Sequence, residues 1–553
     1  MTNLFDPTQR ALVSVTNSAE FQRIAALPRR VLDLSQDTSP YFVKPTSNLK
    51  VWPIQSAALI EASRANGLFA PIPVGKGKTF ICLALPDVLE SKKAVILVKP
   101  QLRDQLKEEI DSFYAVNFNL PLDRITIVAY SELSAQSGAF ILEEIMPDLI
   151  VADEAHCLRH RESARSKRFF RYMREHPGCR FAALSGTMTN RNISDYAHLI
   201  ELALHKNSPL PRSYHELQDW AGALDVKPER ITLPGKLLTF CEGTESVREG
   251  FQRRVNETPG VVTDYGEDDV GASLTIQRIM FDVPPEVEEA YEAAQENWEF
   301  ADEVFTSPLE LQRFLCQVSC GFYYRWVWPD GIVDTEWLEA RKAWNHEVRQ
   351  ALKRSRAGFD SPGLLLMAAE NGTWKSSTWL AWQAVKNRPE PPTVTVWIKQ
   401  YLHNHVLAWI RSIGEARGII WYEHDAVGTY LAEVCDLPLY DPSRDPRVAT
   451  EQVIVASLAA HGDGKNLQHL FSRQLWTSLP PNGTKVEQGI GRCHRPGQLD
   501  DTVEVSWFGQ TAALGAAFQQ VLLDAEYVEQ TTGYRQKVLY ASRLTTNGKG
   551  KRK

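Results

Sequence analysis

The chain has 553 residues, of which 43% are hydrophobic, and its formal net charge is −7 at pH 7. This length and apolar content suffice for about three to four domains with sizeable cores, which excludes a disordered chain. The negative charge excludes a surface that is positive throughout, so nucleic-acid binding would require a local basic groove.

Cysteine spacing and hydropathy exclude further classes. The eight cysteines are scattered and include no C-x-x-C, and the nearest to a pair are Cys316 and Cys320 on a predicted helix. Without a second pair or a histidine cluster they are interpreted as core thiols and not as zinc ligands. No apolar run reaches about 18 residues and the first residues lack a basic-then-apolar signal, so we expect a soluble, cytoplasmic protein without a membrane partner.

Residues 1–47 are predicted to form an N-terminal brace ahead of the larger domains. A short helical pattern around residues 19–26 precedes a stretch with prolines and serines at residues 35–47. The segment is too short for a separate nuclease domain.

Residues 48–238 alternate predicted strands with predicted helices. Apolar strand patterns occur at residues 94–98, 125–128, 149–151 and 181–184, with a helical pattern at residues 101–113. Such alternation is typical of a parallel sheet covered by helices. Ligands of these sheets bind at the carboxyl ends of the strands, so we expect a ligand-binding lobe here.

A glycine-rich stretch at residues 72–79, Ile-Pro-Val-Gly-Lys-Gly-Lys-Thr, indicates a phosphate loop. Gly75 and Gly77 would let the backbone approach phosphates, Lys78 would reach the β- and γ-phosphates, and the Thr79 hydroxyl would ligate Mg²⁺. The start of the following helix adds positive potential. The match is incomplete, because Ile72 stands where the strict pattern has glycine, and the alternative is an ordinary Gly-Lys turn.

Two adjacent carboxylates, Asp153 and Glu154, end the apolar strand pattern that begins at residue 149. At the carboxyl end of a strand the first can hold Mg²⁺ and the second can orient and deprotonate an attacking water. The alternative, that this pair only caps a helix, is disfavoured by the phosphate loop upstream.

The middle segment, residues 239–392, is predicted to be a helical, Trp-rich insertion. Seven of the fifteen tryptophans fall between Trp326 and Trp382, and residues 341–356 hold six Lys or Arg against one acidic residue. Aromatic and basic side chains together can stack on bases and clamp phosphates. We interpret the tryptophans as a helical core, and the basic run as a contact for nucleic acid or another partner.

Strand patterns return in residues 393–529, at 418–422, 452–456 and 503–507, followed by a predicted closing helix at 511–529. This region is predicted to be a second parallel-sheet lobe, and residues 530–553 a basic tail. His403-Asn-His405 lies in an apolar helical pattern without metal-ligand partners, so we interpret it as structural.

A basic run at residues 487–498 contains Gln488, Arg492 and Arg495 at spacings of four and three. If the run is helical, the three side chains share one face. Guanidinium groups stay protonated and match phosphate oxygens, so the pair suggests an arginine finger. A solvated basic turn is the alternative.

These stretches, in this order, resemble helicase superfamily two, and within it the Swi/Snf-type translocases and related phage DEAH-box helicases. The resemblance covers roughly residues 49–508, and residues 153–156 form a full DEAH box after a phosphate loop of the Walker A type. The end of the basic run is closer to the Swi/Snf-type version of motif VI than to the DEAD-box version. Further stretches are similar to the glutamine motif, motif Ia and motifs III, IV and V, at residues 52–55, 99–103, 184–190, 418–423 and 462–467.

The resemblance implies an α/β fold with two RecA-like parallel-sheet lobes and a largely helical middle insertion. It implies an ATP- and Mg²⁺-dependent motor on nucleic acid, most consistent with translocation on duplex DNA, and a phage or prokaryotic source. A strand-separating DNA or RNA helicase and a catalytically silent DNA-binding scaffold remain alternatives. By resemblance ATP would lie between the lobes, with its adenine near Gln55 and its phosphates bound by Gly75, Gly77 and Lys78. Thr79 and Asp153 would hold Mg²⁺, and Glu154 would activate the attacking water. Arg492 and Arg495 would supply positive charge from the second lobe, and Gln488 and residues 185–187 would couple the nucleotide state to the track.

Overall fold

A computed structural model describes residues 13–73, 75–186, 188, 191–226, 228, 230–264, 270–301, 303–305, 307–328, 331–354 and 360–546. The chain divides into two compact units. The first comprises Met1–Gly266 and Glu526–Arg535, and the second Glu267–Ala525 and Gln536–Lys553. The fold is α/β, with a five-stranded parallel sheet in the first unit and a seven-stranded parallel sheet in the second, as two RecA-like lobes require.

The sheet of the first unit is buried on both faces, which explains its nearly continuous apolar strands. Its strands are β1 (Leu68–Pro71), β2 (Ala94–Val98), β3 (Ile125–Ala129), β4 (Leu149–Asp153) and β5 (Arg180–Ser185), in the order β1-β5-β4-β2-β3. The helices of this unit are α1 (Ala19–Ala25), α2 (Ser39–Phe42), α3 (Pro53–Ala65), α4 (Lys78–Val88), α5 (Arg103–Glu109), α6 (Ala115–Asn117), α7 (Tyr130–Ser134), α8 (Ile141–Ile145), α9 (Ala164–Glu175), α10 (Ser194–Leu204), α11 (Tyr214–Leu224) and α12 (Val247–Asn256).

The described part of the N-terminal segment packs into the first unit. Phe21 of α1 is buried and stacks on Phe240, with ring centroids 5.3 Å apart. The buried Arg254 of α12 donates to the carbonyls of Ile24 (3.1 Å from Nε) and Leu27 (3.0 Å). These bonds attach the end of α1 and the residues that follow it to α12.

The second sheet collects strands from distant parts of the chain. It contains β6 (Ser273–Ile279), β11 (Gly418–Tyr422), β12 (Leu439–Tyr440), β13 (Val453–Ser457), β14 (Arg473–Trp476), β15 (Thr502–Phe508) and β16 (Ser542–Thr546), in the order β12-β13-β11-β14-β15-β6-β16. Two antiparallel ribbons pair β7 (Glu299–Phe300) with β8 (Glu303–Val304), and β9 (Phe322–Trp326) with β10 (Thr393–Trp397). The helices that begin in this unit are α13 (Pro285–Asn297), α14 (Pro308–Val318), α15 (Thr335–Arg354), α16 (Pro362–Glu370), α17 (Trp379–Val385), α18 (Leu402–Ser412), α19 (Asp425–Val434), α20 (Leu458–His461), α21 (Gly483–Ile490), α22 (Ala512–Thr532) and α23 (Lys537–Tyr540).

The unit boundaries differ from the expected domain boundaries. The sequence places the end of the first lobe at residue 238, whereas the first unit extends to Gly266 and includes α12. It also assigns β6 to the insertion and β16 to the tail, whereas both strands pair in the second sheet. Residues 547–553 of the tail lie outside the described residues. Because β6 and β16 are distant in sequence from the strands around them, no local pattern predicts that they join the second sheet.

The tryptophans between β9 and β10 pack against one another, as the core interpretation predicted. Trp344 lies 5.6 Å from Trp374 and 5.4 Å from Trp379, measured between ring centroids, and Trp337 contacts Trp326 and Trp328. They form the apolar interior of a small helical segment built from α15, α16 and α17.

Two further expectations agree with the structure. All eight cysteines are free, with Cys320 buried and Cys316 half-buried in the second unit. His403 and His405 pack against aromatic rings, and His405 stacks on Phe281 with ring centroids 3.6 Å apart.

Among the described helices, none combines the length and the apolar character needed to cross a membrane.

Candidate nucleotide site

The phosphate loop connects β1 to α4 at the carboxyl end of the first sheet. Two glycines in the loop adopt left-handed conformations, Gly75 with φ of 90° and Gly77 with φ of 70°. A Cβ at Gly77 would also lie 2.1 Å from Nε2 of Gln55, so a side chain there would displace the Gln55 amide. Since α4 begins at Lys78, the unpaired amide groups of its first turn face the loop and favour an anion.

The departure from the strict pattern at position 72 has a structural explanation. Ile72 has no exposed surface, and its side chain lies in the apolar core. Its backbone is not left-handed, so glycine is not required there. The main-chain oxygen of Ile72 still belongs to the loop, because Lys78 Nζ donates to it at 3.1 Å and to the oxygen of Pro73 at 3.2 Å.

Gln55 joins the start of α3 to the phosphate loop. Its Oε1 accepts from the amide of Trp52 at 2.8 Å, and its Nε2 donates to the main-chain oxygen of Gly77 at 3.1 Å. Both ends of this buried amide therefore hold local backbone in place. The predicted adenine contact of Gln55 remains a prediction.

The two predicted carboxylates differ in environment. Glu154 Oε1 lies 3.6 Å from Lys78 Nζ, whereas Asp153 Oδ1 is buried and has no hydrogen-bond partner among the described residues. Burial and the neighbouring Glu154 raise the pKa of Asp153 to about 6. Burial by itself raises the pKa of Glu154 as well, but Lys78 and a hydrogen bond from His156 outweigh it and hold that pKa well below its ordinary value. Glu154 therefore stays ionised to lower pH than Asp153, which is the first of the pair to take up a proton as the pH falls.

A hydrogen-bonded cluster connects the ends of β4 and β5. His156 Nδ1 lies 2.8 Å from Ser185 Oγ and 3.2 Å from Glu154 Oε2, and Ser185 Oγ lies 3.1 Å from the same Glu154 oxygen. Burial lowers the pKa of His156, but hydrogen bonds to Cys157 and Glu154 raise it to about 9. The protonated imidazole and the hydroxyl thus fix the orientation of Glu154. Of the predicted coupling residues 185–187, Thr187 lies outside the described residues.

Tyr114 lies beside the candidate site and is not among the residues that the sequence predicts. It ends a π-helical turn, Ile110–Tyr114, that follows α5, and its phenol lies next to the Thr79 side chain. Burial raises the pKa of the Tyr114 phenol above its usual range. The extra residue of a π turn re-aims a side chain, and such turns are frequent at functional sites. Neither a glycine nor a motif in the sequence predicts this turn.

The oxygen atoms beside the phosphate loop are of the kind that Mg²⁺ usually binds in proteins. Mg²⁺ takes oxygen ligands and is bound by one or two carboxylates together with substrate phosphates. The unpartnered, buried Asp153 Oδ1 and the Thr79 hydroxyl supply suitable oxygens beside the phosphate loop. Within the described part of the chain no group of three or more His, Cys, Asp and Glu side chains could hold a metal alone. The residues therefore fit an ion that is shared with a nucleotide.

The basic run at residues 487–498 lies in the second unit. The helix that was expected to carry Gln488, Arg492 and Arg495 ends before the two arginines. Gln488 lies on α21, which ends at Ile490, so Arg492 and Arg495 follow in a turn and not on the same helical face. Glycines at 489 and 491 each disfavour helix by about 1 kcal/mol relative to alanine, and Pro496 disfavours a helical conformation at the residue before it.

This turn is not a solvated one. Arg492 is 2% exposed, and its Nε and Nη1 donate to the main-chain oxygens of Gln488 (2.9 Å) and Lys465 (3.1 Å). Arg495 Nη1 donates to Asn466 Oδ1 at 2.5 Å. Burial, followed by repulsion from Arg492, lowers the pKa of Arg495 to about 10, which leaves it protonated at neutral pH. Arg492 and Arg495, held by residues 465–466, thus form one cationic cluster in the second unit, whereas the charge of Lys465 itself is paired with Asp445 at 2.8 Å.

Comparison with known proteins adds no identification. No protein-family model matches the chain, and no curated protein was found to be similar to it.

Proposed function

We propose that the protein is an ATP-dependent motor of helicase superfamily two that translocates on duplex DNA. The observation that carries this proposal is the cluster in the first unit, where Lys78, Glu154 and Asp153 meet at the phosphate loop. A lone phosphate loop or a lone carboxylate pair is common, but their convergence at the carboxyl ends of parallel strands is the arrangement that phosphoryl transfer uses. The motor would act inside a prokaryotic cell, encoded by a phage or by its host.

The chain's own residues suit ATP hydrolysis. Gly75, Gly77 and the first turn of α4 would bind phosphates through main-chain amides, and Lys78 would contribute positive charge. Glu154 is ionised and oriented by His156 and Ser185, so it is able to accept a proton from an attacking water.

Asp153 and Thr79 would hold Mg²⁺, with Tyr114 orienting the Thr79 hydroxyl. When bound, the ion neutralises charge on the phosphates. The cationic cluster of the second unit would contribute charge through Arg492 and Arg495, which are fixed by main-chain and amide oxygens.

The proposal is tested by measuring phosphate release with no polymer, with single-stranded DNA, with duplex DNA and with RNA. We expect Mg²⁺-dependent hydrolysis that duplex DNA stimulates most. Hydrolysis stimulated only by single strands or by RNA would instead support a helicase or an RNA motor. Absence of both nucleotide binding and hydrolysis would support a silent scaffold.

A further inference from the structure

A second lysine of the phosphate loop is held by a carboxylate that no step described above uses. Lys76 lies between the two left-handed glycines, and its Nζ is 3.1 Å from Oδ2 of Asp264. The two side chains are only 15% and 11% exposed. A pair so sheltered from water is screened less than a surface pair, so the attraction between the charges is stronger.

The segment that carries Asp264 is attached to the strand that leads into the phosphate loop. Phe69 of β1 donates its amide to the oxygen of Gly260 at 2.9 Å, and the amide of Val262 donates to the oxygen of Phe69 at 2.9 Å. Glu61 Oε2 accepts from the amide of Gly260 at 2.8 Å. These bonds fix residues 260–262 beside β1, so Asp264 is placed by the same strand that places the loop.

We propose that Asp264 competes with the phosphates of a bound nucleotide for Lys76 and thereby sets the nucleotide affinity of the loop. This inference rests on the proposed nucleotide binding. A polyphosphate brings several negative charges to the loop, which offers Lys76 a stronger partner and repels the Asp264 carboxylate. Gly75 and Gly77 permit the backbone on both sides of Lys76 to turn, because glycine tolerates conformations that other residues avoid.

Asp264 is a positioning residue in this scheme, because it acts on the nucleotide mainly through Lys76.

The test measures the Kd of ADP and of a non-hydrolysable ATP analogue, with Mg²⁺, by calorimetry on the full chain. Asp264→Asn should tighten binding by about fivefold, the size expected when one partly sheltered ion pair no longer competes. Asp264→Glu, which keeps the charge, should restore the wild-type value. Asp264→Ser is measured in parallel, so that the result does not depend on the folding of one variant.

A matched control removes a comparable ion pair elsewhere in the same unit. Glu143 lies 2.8 Å from Arg171, and both side chains are 24% exposed, so Glu143→Gln should leave the nucleotide Kd unchanged. In a Lys76→Gln background, the further change Asp264→Asn should tighten the nucleotide Kd less than it does beside Lys76, because only the direct repulsion between the carboxylate and the phosphates is then removed.

The outcomes separate this inference from the proposed function. A wild-type protein that binds neither nucleotide contradicts the proposed function itself. If the wild type binds nucleotide while Asp264→Asn and Asp264→Ser keep its Kd and its thermal midpoint, only the competition between Asp264 and phosphate is overturned. The same holds if the tightening is equally large in the Lys76→Gln background.

Discussion

Lys78 and Glu154 have different duties although their charged atoms lie only 3.6 Å apart. Lys78 also donates hydrogen bonds to two main-chain oxygens of the loop. Glu154 accepts a hydrogen bond from Ser185 and lies in contact with the His156 ring. The roles proposed here are phosphate binding for the lysine and activation of water for the glutamate, and substitution should separate the two steps.

Glu154→Gln should retain nucleotide binding and lower kcat by about 10² to 10⁴, the usual contribution of a general base. The amide preserves the shape of the side chain and its contact with Ser185 but accepts no proton. Lys78→Ala should instead weaken the Kd of the nucleotide. Phosphate release and calorimetry on both variants check this, and normal turnover by Glu154→Gln would remove the glutamate from the mechanism.

Arg495→Ala should lower hydrolysis by about 10³ to 10⁵, as loss of an arginine finger does in related phosphoryl transfer. Folding should survive, because the described contact of Arg495 is one hydrogen bond to Asn466 and its burial is incomplete. Thermal unfolding is measured beside phosphate release. A collapsed thermal transition would show that the arginine is structural.

At the scale of elements, Asp225 joins α11, the residue before α10 and the part of α22 that belongs to the first unit. It follows the last residue of α11, and its Oδ1 accepts from the amide of Ile193, before α10, at 2.9 Å and from the hydroxyl of Tyr527 in α22 at 3.0 Å. Burial raises the pKa of this carboxyl to about 7, and these hydrogen bonds only partly oppose the shift. The folded state therefore binds a proton that the unfolded chain has released.

The contribution of Asp225 to folding stability should consequently fall as pH rises from about 4 to about 7, since the folded state holds more protons on this carboxyl than the unfolded state in that window. Asp225→Asn resembles the protonated form and should flatten this decline, which thermal midpoints of wild type and variant across the pH range would show. Asp219→Asn on the same helix is the control and should follow the wild type. If the stability of Asp225→Asn declines equally steeply with pH, groups other than Asp225 cause the decline.

The basic run of α15 is tested through the salt dependence of DNA binding. Arg341 is paired with Glu390 at 2.6 Å and lies over the Trp337 ring, whereas Arg349 is exposed. The side chains of Lys353 and Arg354 lie outside the described residues. Neutralising Arg349, Lys353 and Arg354 should reduce the slope of log K against log salt by about 0.9 for each lost phosphate contact.

The control for this triple variant is Lys399→Gln, which removes a lysine already paired with Glu286 at 3.2 Å. Its salt slope should equal that of the wild type. A triple variant with the same slope would assign the basic run to a solvated face of the helix.

For the whole molecule, we expect translocation on duplex DNA without obligatory strand separation. Opening DNA costs about 1.4 kcal/mol per base-pair step, and separating strands usually requires an inserted wedge. The sequence shows no such wedge, and the tryptophans between β9 and β10 pack against one another. Displacement of a third strand from a triplex should therefore be efficient. Strong unwinding of a forked duplex without triplex displacement would support the helicase alternative.

The sequence by itself determined the candidate site residues that are local in the chain. Gly75 to Thr79 and Asp153-Glu154 were identifiable because a phosphate loop and a carboxylate pair need a few residue types at fixed spacing after a strand. The alternation of apolar strands and helices likewise predicted both parallel sheets, since periodicity reflects which faces are buried.

Tertiary structure decided what depends on residues that are distant in sequence. It placed β6 and β16 at one side of the second sheet, joined Ser185 to His156 and Glu154, and paired Lys76 with Asp264. It also ended α21 at Ile490, where packing and main-chain bonds to Arg492 replace the helical face that spacing suggested. These features follow from packing and hydrogen bonding summed over the fold, and residue order alone contains no local signal for them.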